Sequence, residues 1–577
     1  MERPSKRARL SPALSEKATE SEETVRTPLA SLQRSISPPA STRSAQLHAS
    51  VSACSDLKND RFDIQDANNA LRSPCQVPSP FQLTHIRDLP DQGGFNDGTV
   101  KLRDILGDPM IKECWQFNYC FDVDFLMSQF DEDVRSLVKV KIVHGSWERE
   151  SANKIRIDEA CARYKNVEAI VAYMPERFGT HHSKMMVLLR HDDLAQVIIH
   201  TANMIHGDWT NMTQAVWKSP LLPILKPGSP SSPQGDTSLG SGARFKRDLL
   251  TYLRAYGPKK TGPLVQQLSQ YDFAAIRAAI VASVPSKQGL IDIDSDTGTL
   301  WGWPALKDLI GRIPVSSKPK ENKPSKPRIV IQISSVASLG QTDKWLKSIF
   351  FKALAPTPSD LAPKYSIIFP TPEEIRNSLD GYGSGGSIHM KTQSAPQQKQ
   401  LQYLRPHLCH WAGESKTIDL SDDKSTTREA GRGRAAPHIK TYIRFSDEET
   451  MDTIDWAMVT SANLSTQAWG AAPNPAGEVK ISSFEIGVVV WPDLYATALV
   501  SPSASRSEMN QSPDVLMVPG FKQNEPVLTS IAANAATVVG LRMPYSLPLT
   551  PYSASEEPWC ATAPHYLPDW RGMSWLI

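Results

Sequence analysis

Two short words in this chain set an imidazole and an ammonium group two residues apart: His182-Ser-Lys184 and His438-Ile-Lys440. Each leads into an apolar run that ends in Ala-Asn, Val197-Ile-Ile-His-Thr-Ala-Asn203 in the first copy and Ala457-Met-Val-Thr-Ser-Ala-Asn463 in the second. The interval from His to Asn is 21 residues in one copy and 25 in the other. On an extended strand, residues i and i+2 face the same side, so each word presents a proton carrier or nucleophile beside a fixed cation. Two such half-sites facing each other supply two imidazoles, two ammonium groups and two amides. That set suits in-line displacement at a phosphodiester. One His attacks phosphorus, the other protonates the departing oxygen, and the cations and amides neutralise the equatorial oxygens. No carboxylate cluster of metal-ligand type accompanies the histidines, so this chemistry calls for neither a metal nor a cofactor.

The tripeptide alone is weak, because 13 His among 577 residues would produce roughly 0.7 copies of His-x-Lys by chance. The chain carries a third copy, His389-Met-Lys391, as an internal control; the position 21 residues after His389 is His410, with no Asn nearby. Only the copies at 182 and 438 have the strand-plus-Asn context, and it is their duplication that is specific.

The elements that must hold these residues read as an α/β arrangement. A length of 577 residues exceeds one core and predicts two large domains plus unstructured segments. Residues 1–80 are rich in Ser, Pro, Arg and Glu and read as a disordered tail. Its cluster Pro4-Ser-Lys-Arg-Ala-Arg-Leu10 reads either as a solvated charge run or as a nuclear import signal, and the acidic Glu16 to Glu23 stretch argues against a mitochondrial leader. Residues 81–290 and 291–577 are assigned to the two domains. Strands are expected over 138–143, 185–189, 196–200, 456–459 and 483–491, with another opening at Arg328; helices are expected over 247–256 and 274–284. Loops are expected at 226–242, 316–327 and 415–436. A net charge of +2 gives no bulk sign of nucleic-acid binding. Seven cysteines without paired spacing favour free thiols in a reducing compartment. No apolar run approaches the roughly 18–20 residues of a bilayer span, so no membrane element is expected and the chain is read as soluble and intracellular.

The duplicated pattern resembles the phospholipase D superfamily. It lacks the Asp that usually follows the Lys, since Leu189 and Phe445 stand there, and this departure is characteristic of the tyrosyl-DNA phosphodiesterase branch. Further words resemble that branch: Gly179-Thr-His-His-Ser-Lys-Met-Met, Asn203-Met-Ile-His-Gly-Asp-Trp209, Ser334-Ser-Val-Ala-Ser-Leu-Gly340, Thr460-Ser-Ala-Asn-Leu-Ser465, Phe484-Glu-Ile-Gly487 and Pro544-Tyr-Ser-Leu-Pro548. The resemblance runs from about Trp115 to the C-terminus. With the internal repeat, it implies two phospholipase D-like α/β domains related by a pseudo-twofold, with mixed sheets flanked by helices and the active site at the domain interface.

The resemblance also implies roles. His182 is the nucleophile that forms a phosphohistidine, with His181 on the opposite strand face; His438 is the general acid and then the general base. Lys184, Lys440, Asn203 and Asn463 bind the transferring phosphate, and Gln214 and Glu485 hold the imidazoles. Glu485 lies in an apolar strand where an unpaired carboxylate is costly, which fits a pairing with His182. Phe178 resembles a base-stacking residue, Ser335, Ser338 and Ser465 resemble phosphate contacts, and Lys399 supplies a cation. Plainer alternatives stand beside these: core packing for Phe178, helix capping for Ser335 and Ser338, turn formation for the two Asn, and a structural ion pair for Glu485. The implied substrate is single-stranded or end-frayed DNA whose 3′ phosphate carries a tyrosyl peptide left by a topoisomerase, or another adduct. A monomer acting in the nucleus, independent of membrane, is expected. A lipid-directed phospholipase and a non-catalytic DNA-binding scaffold are the competing classes.

Overall fold

Alternation of apolar residues decides which way each strand faces, and in this chain both faces of the strands are apolar. The computed structural model describes residues 74–576, apart from 149, 226–236, 291–294, 297, 316–325, 357–361, 414–426, 497–514, 531, 533 and 534. The basic cluster at 4–10 and most of the three loops read from sequence lie outside the described residues.

The first sheet contains β1 (Phe81–Leu83), β2 (Ile111–Phe117), β3 (Lys139–His144), β4 (Val167–Val171), β5 (Met185–Arg190), β6 (Leu194–His200) and β7 (Ala215–Lys218). They run in the order β1-β7-β6-β5-β2-β3-β4, with the short strand Leu222–Pro223 beside β6. The second sheet contains β8 (Ala279–Ser283), β9 (Arg328–Gln332), β10 (Lys364–Ile368), β11 (Leu408–Cys409), β12 (Thr441–Phe445), β13 (Ile454–Thr460) and β14 (Glu485–Val490), in the order β8-β14-β13-β12-β9-β10-β11. Every strand of the first sheet thus has its counterpart seven labels later. The directions match as well: β2-β3-β4 and β9-β10-β11 pair parallel, and the remaining neighbours pair antiparallel. The repeated motif is therefore the local trace of a duplicated sheet.

One face of each sheet points into a shared core. Trp115, Phe117, Val187, Val197 and Ile199 from the first sheet meet Val330, Ile443, Val459, Ile486 and Val488 from the second, together with Phe245 and Leu264 of the intervening helices Gly242–Arg254 and Pro258–Ser269. The alternate residues Cys114, Ile142, Met186 and Ile198 face outward with Ile157 of the helix Ala152–Arg163. Ile329, Ile331, Tyr442, Met458 and Val489 likewise face the helices Gly302–Arg312 and Ala395–Leu404. Each fully buried Leu, Ile or Phe contributes about 1.5–3 kcal/mol, against about 0.5–1.5 kcal/mol for a net hydrogen bond. The shared apolar core therefore holds the halves together, and the polar contacts that cross it are left to set positions.

The predicted strands appear within a residue or two of their expected bounds, and the helix expected at 247–256 is the Gly242–Arg254 helix. The expected helix at 274–284 is instead β8, an edge strand buried along its length against β14. A short unbroken apolar run carries no period to separate strand from buried helix, and the β14 edge supplies the missing partner. The tail read over residues 1–80 also ends earlier than expected. Cys75–Val77 pairs parallel with Thr537–Arg542, which in turn pairs with Val515–Gly520. A three-residue strand is too short to shift composition. The chain from residue 73 onward is one compact unit, and β8 enters the second sheet before the boundary set at 290. Among the described residues no helix is long and apolar enough to cross a membrane, and Cys114, Cys120, Cys161, Cys409 and Cys560 are free thiols.

Candidate active site

The two His-x-Lys words lie just ahead of β5 and β12 rather than inside them, and each Asn lies three residues beyond the end of β6 or β13. Because β5/β6 and β12/β13 are antiparallel hairpins, the start of one strand meets the end of the next. His200 donates its N–H to the Lys184 carbonyl at 3.0 Å, and Thr460 donates to the Lys440 carbonyl at 3.3 Å. The words then cross between halves. His181 bridges Phe484, with the His182 N–H on the Phe484 carbonyl at 3.0 Å; Pro437 bridges Thr213, with the His438 N–H on the Thr213 carbonyl at 3.2 Å. The residues after Phe484 and Thr213 are Glu485 and Gln214, so each half delivers the partner for the other half's imidazole. Two glycines permit the approach around His181 and His182: a Cβ on Gly145 would sit 2.5 Å from the His181 Cβ, and one on Gly179 would overlap the Ser482 carbonyl.

In the first half-site, His182 Nδ1 lies 3.0 Å from Glu485 Oε2, and the Ser461 hydroxyl donates to the same oxygen at 2.5 Å. A carboxylate oxygen only accepts, so the proton sits on Nδ1 and the Nε2 lone pair is left for attack. Burial pushes the His182 imidazole below its ordinary value while Glu485 opposes the shift. Burial works to raise Glu485, but His182, Lys184 and Ser461 hold it below the usual carboxylate range. Lys184 donates to the His182 carbonyl at 3.1 Å, and burial lowers its ammonium to about 8 against the pull of Glu485 and Asp208.

In the second half-site, Gln214 Nε2 lies 3.0 Å and Asp208 Oδ2 3.1 Å from His438 Nδ1. Lys440 Nζ lies 3.2 Å from His438 Nε2 and donates to the His438 carbonyl at 2.5 Å. Burial and then Lys440 lower His438 to about 4, with Asp208 opposing. Burial and Lys184 push Lys440 well below the ordinary lysine value. The Thr201 hydroxyl donates to Gln214 Oε1 at 2.7 Å, as Ser461 does to Glu485. The Asn463 Oδ1 accepts from the Ser334 and Ser335 N–H groups at 3.1 and 3.0 Å, which turns its amide N–H groups outward. Asn203 donates its backbone N–H to Asp208 at 2.6 Å, and its buried side-chain Oδ1 has no hydrogen-bond partner among the described residues. The result is a cleft where two lysines, two imidazoles and two amides meet two carboxylates, a surplus of donors suited to an anion.

The proposed DNA contacts are placed unevenly. Phe178 is 76% exposed, which removes the core reading, and the Arg177 guanidinium lies 5.6 Å from its ring centre. Ser335 pairs with His389 in a two-strand ladder and adjoins Asn463 through its N–H, while Ser338 is exposed; neither caps a helix. Ser465 does, accepting the Ala468 N–H at 3.0 Å ahead of the short helix Thr466–Trp469. Lys399 is exposed, and the next residue, Gln400, ties its helix to the Ala337 carbonyl and the Leu339 N–H on either side of Ser338. The third His-x-Lys word has its His389 exposed at that rim and no Asn of its own.

Asp208, inside the word Asn203 to Trp209, and the hydroxyls of Thr201 and Ser461 carry no role assigned from the sequence. The signal was present. Each Asn is followed six residues later by Trp, Trp209 and Trp469, and within that shared interval Asp208 stands against Ala468. Among the described residues no group of three or more His, Cys, Asp or Glu is placed to hold a metal ion.

Residues 80–553 match the family model described as tyrosyl-DNA phosphodiesterase. The probable tyrosyl-DNA phosphodiesterase of Schizosaccharomyces pombe is 30% identical over 555 residues, spanning 86% of this chain and 96% of that one. Tyrosyl-DNA phosphodiesterase 1 of Arabidopsis thaliana is 26% identical over 540 residues, spanning 89% and 79%. The crystal structure of the yeast tyrosyl-DNA phosphodiesterase superposes with a TM-score of 0.57 at 20% identity, over 85% of this chain and all of that one.

Proposed function

The chain belongs to the tyrosyl-DNA phosphodiesterase family, and on that premise we propose that it hydrolyses the bond between a 3′ DNA phosphate and tyrosine through a covalent phosphohistidine on His182. In the first step His182 Nε2 forms the bond to phosphorus, the bond to the tyrosine oxygen breaks, and that oxygen takes a proton from His438 Nε2. In the second step a water attacks phosphorus, gives its proton back to His438, and releases His182. Lys184, Lys440, Asn203 and Asn463 hold the equatorial oxygens; each well-placed donor at developing charge is worth about 10²–10³-fold in rate. The observation that carries the assignment is the crossed His182–Glu485 pair at 3.0 Å, which fixes the tautomer needed for attack.

Burial and Lys440 hold His438 near 4, so without a bound anion it is neutral at pH 7. The negative charge of a bound phosphodiester raises it, and tyrosine, with a pKa of about 10, leaves with the help of that acid, though it needs less help than an alkoxide would. Phe178 stacks on a base of single-stranded or end-frayed DNA, and Ser335, Ser338, Ser465 and Lys399 line the phosphate path. The nucleophile and the charge stabilisers are all side chains, so turnover needs no metal. The protein works as a monomer in the nucleus, cleaving topoisomerase-derived tyrosyl peptides and other 3′ adducts.

The test is incubation in EDTA with a 3′-phosphotyrosyl oligonucleotide, beside a phosphatidylcholine vesicle assay. Release of tyrosine in EDTA with intact lipid is expected. Loss of turnover restored by added magnesium, or lipid cleavage in its place, overturns the reading.

A further inference from the structure

We propose that Asp208 is the positioning residue of the second half-site: its carboxylate takes the Nδ1 proton of His438, turns Nε2 towards the scissile phosphodiester, and holds the imidazolium that proton transfer creates. This rests on the reading of His438 as general acid and base. The first support is geometric. Asp208 Oδ2 lies 3.1 Å from Nδ1, and the two side chains are 1% and 3% exposed, so the pair is closed to water and the oxygen can only accept. The second is that Gln214 cannot replace it. The Gln214 atom nearest Nδ1 is its amide nitrogen, at 3.0 Å, which cannot accept a proton; its oxygen lies at 3.3 Å, already takes the Thr201 hydroxyl at 2.7 Å, and carries no charge. An imidazolium buried beside Lys440 and Lys184 needs an opposing charge. Of the acids that face this cleft, Glu485 is bound to His182 and Asp208 is bound to His438.

The third support is the duplication. Glu485 and Gln214 hold equivalent places opposite the two imidazoles, and Ala468 and Asp208 hold equivalent places five residues beyond the two Asn. Each imidazole therefore has one carboxylate. In one half it comes from a strand, in the other from a turn, and the position left over is neutral in both. Through the cycle the Nδ1 proton stays between His438 and Asp208, while only the Nε2 proton moves, first to the tyrosine oxygen and then back from water.

Asp208 also accepts the Asn203 N–H at 2.6 Å, so a substitution disturbs the turn as well, and the test separates the two effects by leaving group. Single-turnover cleavage is measured for full-length Asp208→Asn and Asp208→Glu on oligonucleotides bearing a 3′-phosphotyrosyl or a 3′-p-nitrophenyl phosphodiester. The p-nitrophenol group is much more acidic than tyrosine and departs without an acid. Asp208→Asn is expected to slow tyrosyl cleavage by about 10²-fold, the lower end for general acid–base assistance. The p-nitrophenyl ester is expected to react nearly as in the parent, and Asp208→Glu to recover part of the tyrosyl rate. Equal slowing of both esters, or no slowing of either, overturns the role of Asp208. A second arm moves the carboxylate: Asp208→Ala combined with Gln214→Glu copies the surroundings of His182 and is expected to cleave the tyrosyl ester faster than Asp208→Ala alone. No recovery overturns the proposal. His182→Ala is run in parallel. A denaturant-resistant adduct that persists there overturns the acid/base reading itself, whereas its absence there with equal effects on both esters at Asp208 overturns only the positioning role.

Discussion

The two half-sites share a sheet, a hairpin, a His-x-Lys word and an Asn, yet they differ in what surrounds the imidazole. Among the described residues His182 has one side-chain hydrogen-bond partner, a carboxylate that only accepts, and no cation lies within hydrogen-bond distance of its Nε2. His438 has a carboxylate and an amide at Nδ1 and a lysine 3.2 Å from Nε2. The amides differ too: the Asn463 oxygen is clamped by two backbone N–H groups, and the Asn203 oxygen has no partner among the described residues. The comparison teaches that a duplicated scaffold keeps its backbone geometry to hydrogen-bond detail while chemistry diverges within a few atoms of one ring nitrogen. A single-acceptor site suits a residue that must stay a nucleophile, and a site with mixed partners suits one that must both give and take a proton.

The largest effect is expected from His182→Ala, which removes the attacking atom: turnover should be abolished and no covalent protein–DNA species should form on a denaturing gel. His438→Asn should slow turnover by about 10²–10⁴-fold and leave the DNA linked to His182 as a denaturant-resistant band, because hydrolysis of the intermediate needs a base more than tyrosine release needs an acid. An adduct in His182→Ala and none in His438→Asn would reverse the two roles. Glu485→Gln keeps the shape but loses the charge that supports Nδ1–H, and single-turnover rates should fall by about 10–100-fold, the usual range for an orienting partner of a histidine. An unchanged rate would make the pair merely structural.

The pH dependence tests the cations. Lys184 is charged below about 8 and loses its proton above it, so kcat/KM for the p-nitrophenyl ester, which needs no acid from His438, should decline as pH rises through that value, by about tenfold one unit higher. On the acid side His182 must be neutral to attack. Its lowered value keeps it so below the ordinary histidine pKa of about 6.5, and the acid limb should lie below that point. A limb at or above it would contradict the site. The smallest effect is expected at the rim. Phe178→Ala removes one exposed stacking surface, worth about 1 kcal/mol at the low end for a base on a ring, so binding of a single-stranded substrate should weaken about fivefold with kcat unchanged.

Much of this is legible in the sequence. The duplicated word marked both half-sites, since chemistry at a phosphodiester restricts residue type and a strand followed by a turn restricts spacing. Glu485 stood out because an acid in Phe484-Glu-Ile-Gly-Val-Val-Val demands a buried partner. Asp208 did not, because in Ile-His-Gly-Asp-Trp an acid looks like an ordinary turn residue until its burial is known. The strand at 279–283 was missed because a short apolar run takes its form from its neighbour, and β14 is far away in sequence. Cys75–Val77 was missed for the same reason, its partner lying at 537–539. What escaped the sequence was contact between distant segments without a chemical signature of its own.

The crossing of partners between the halves also bears on how such a site can originate. Glu485 belongs to the copy that carries His438, and Asp208 and Gln214 belong to the copy that carries His182. One copy alone would hold an imidazole with nothing to orient it and a buried acid with nothing to neutralise it. Such a unit becomes complete only against a second, so an ancestor with one copy would have worked as a symmetric pair. Joining the two into one chain removed the requirement that both copies be identical. In a single chain the two copies are free to differ, and here one imidazole takes its acid from a strand and the other from a turn.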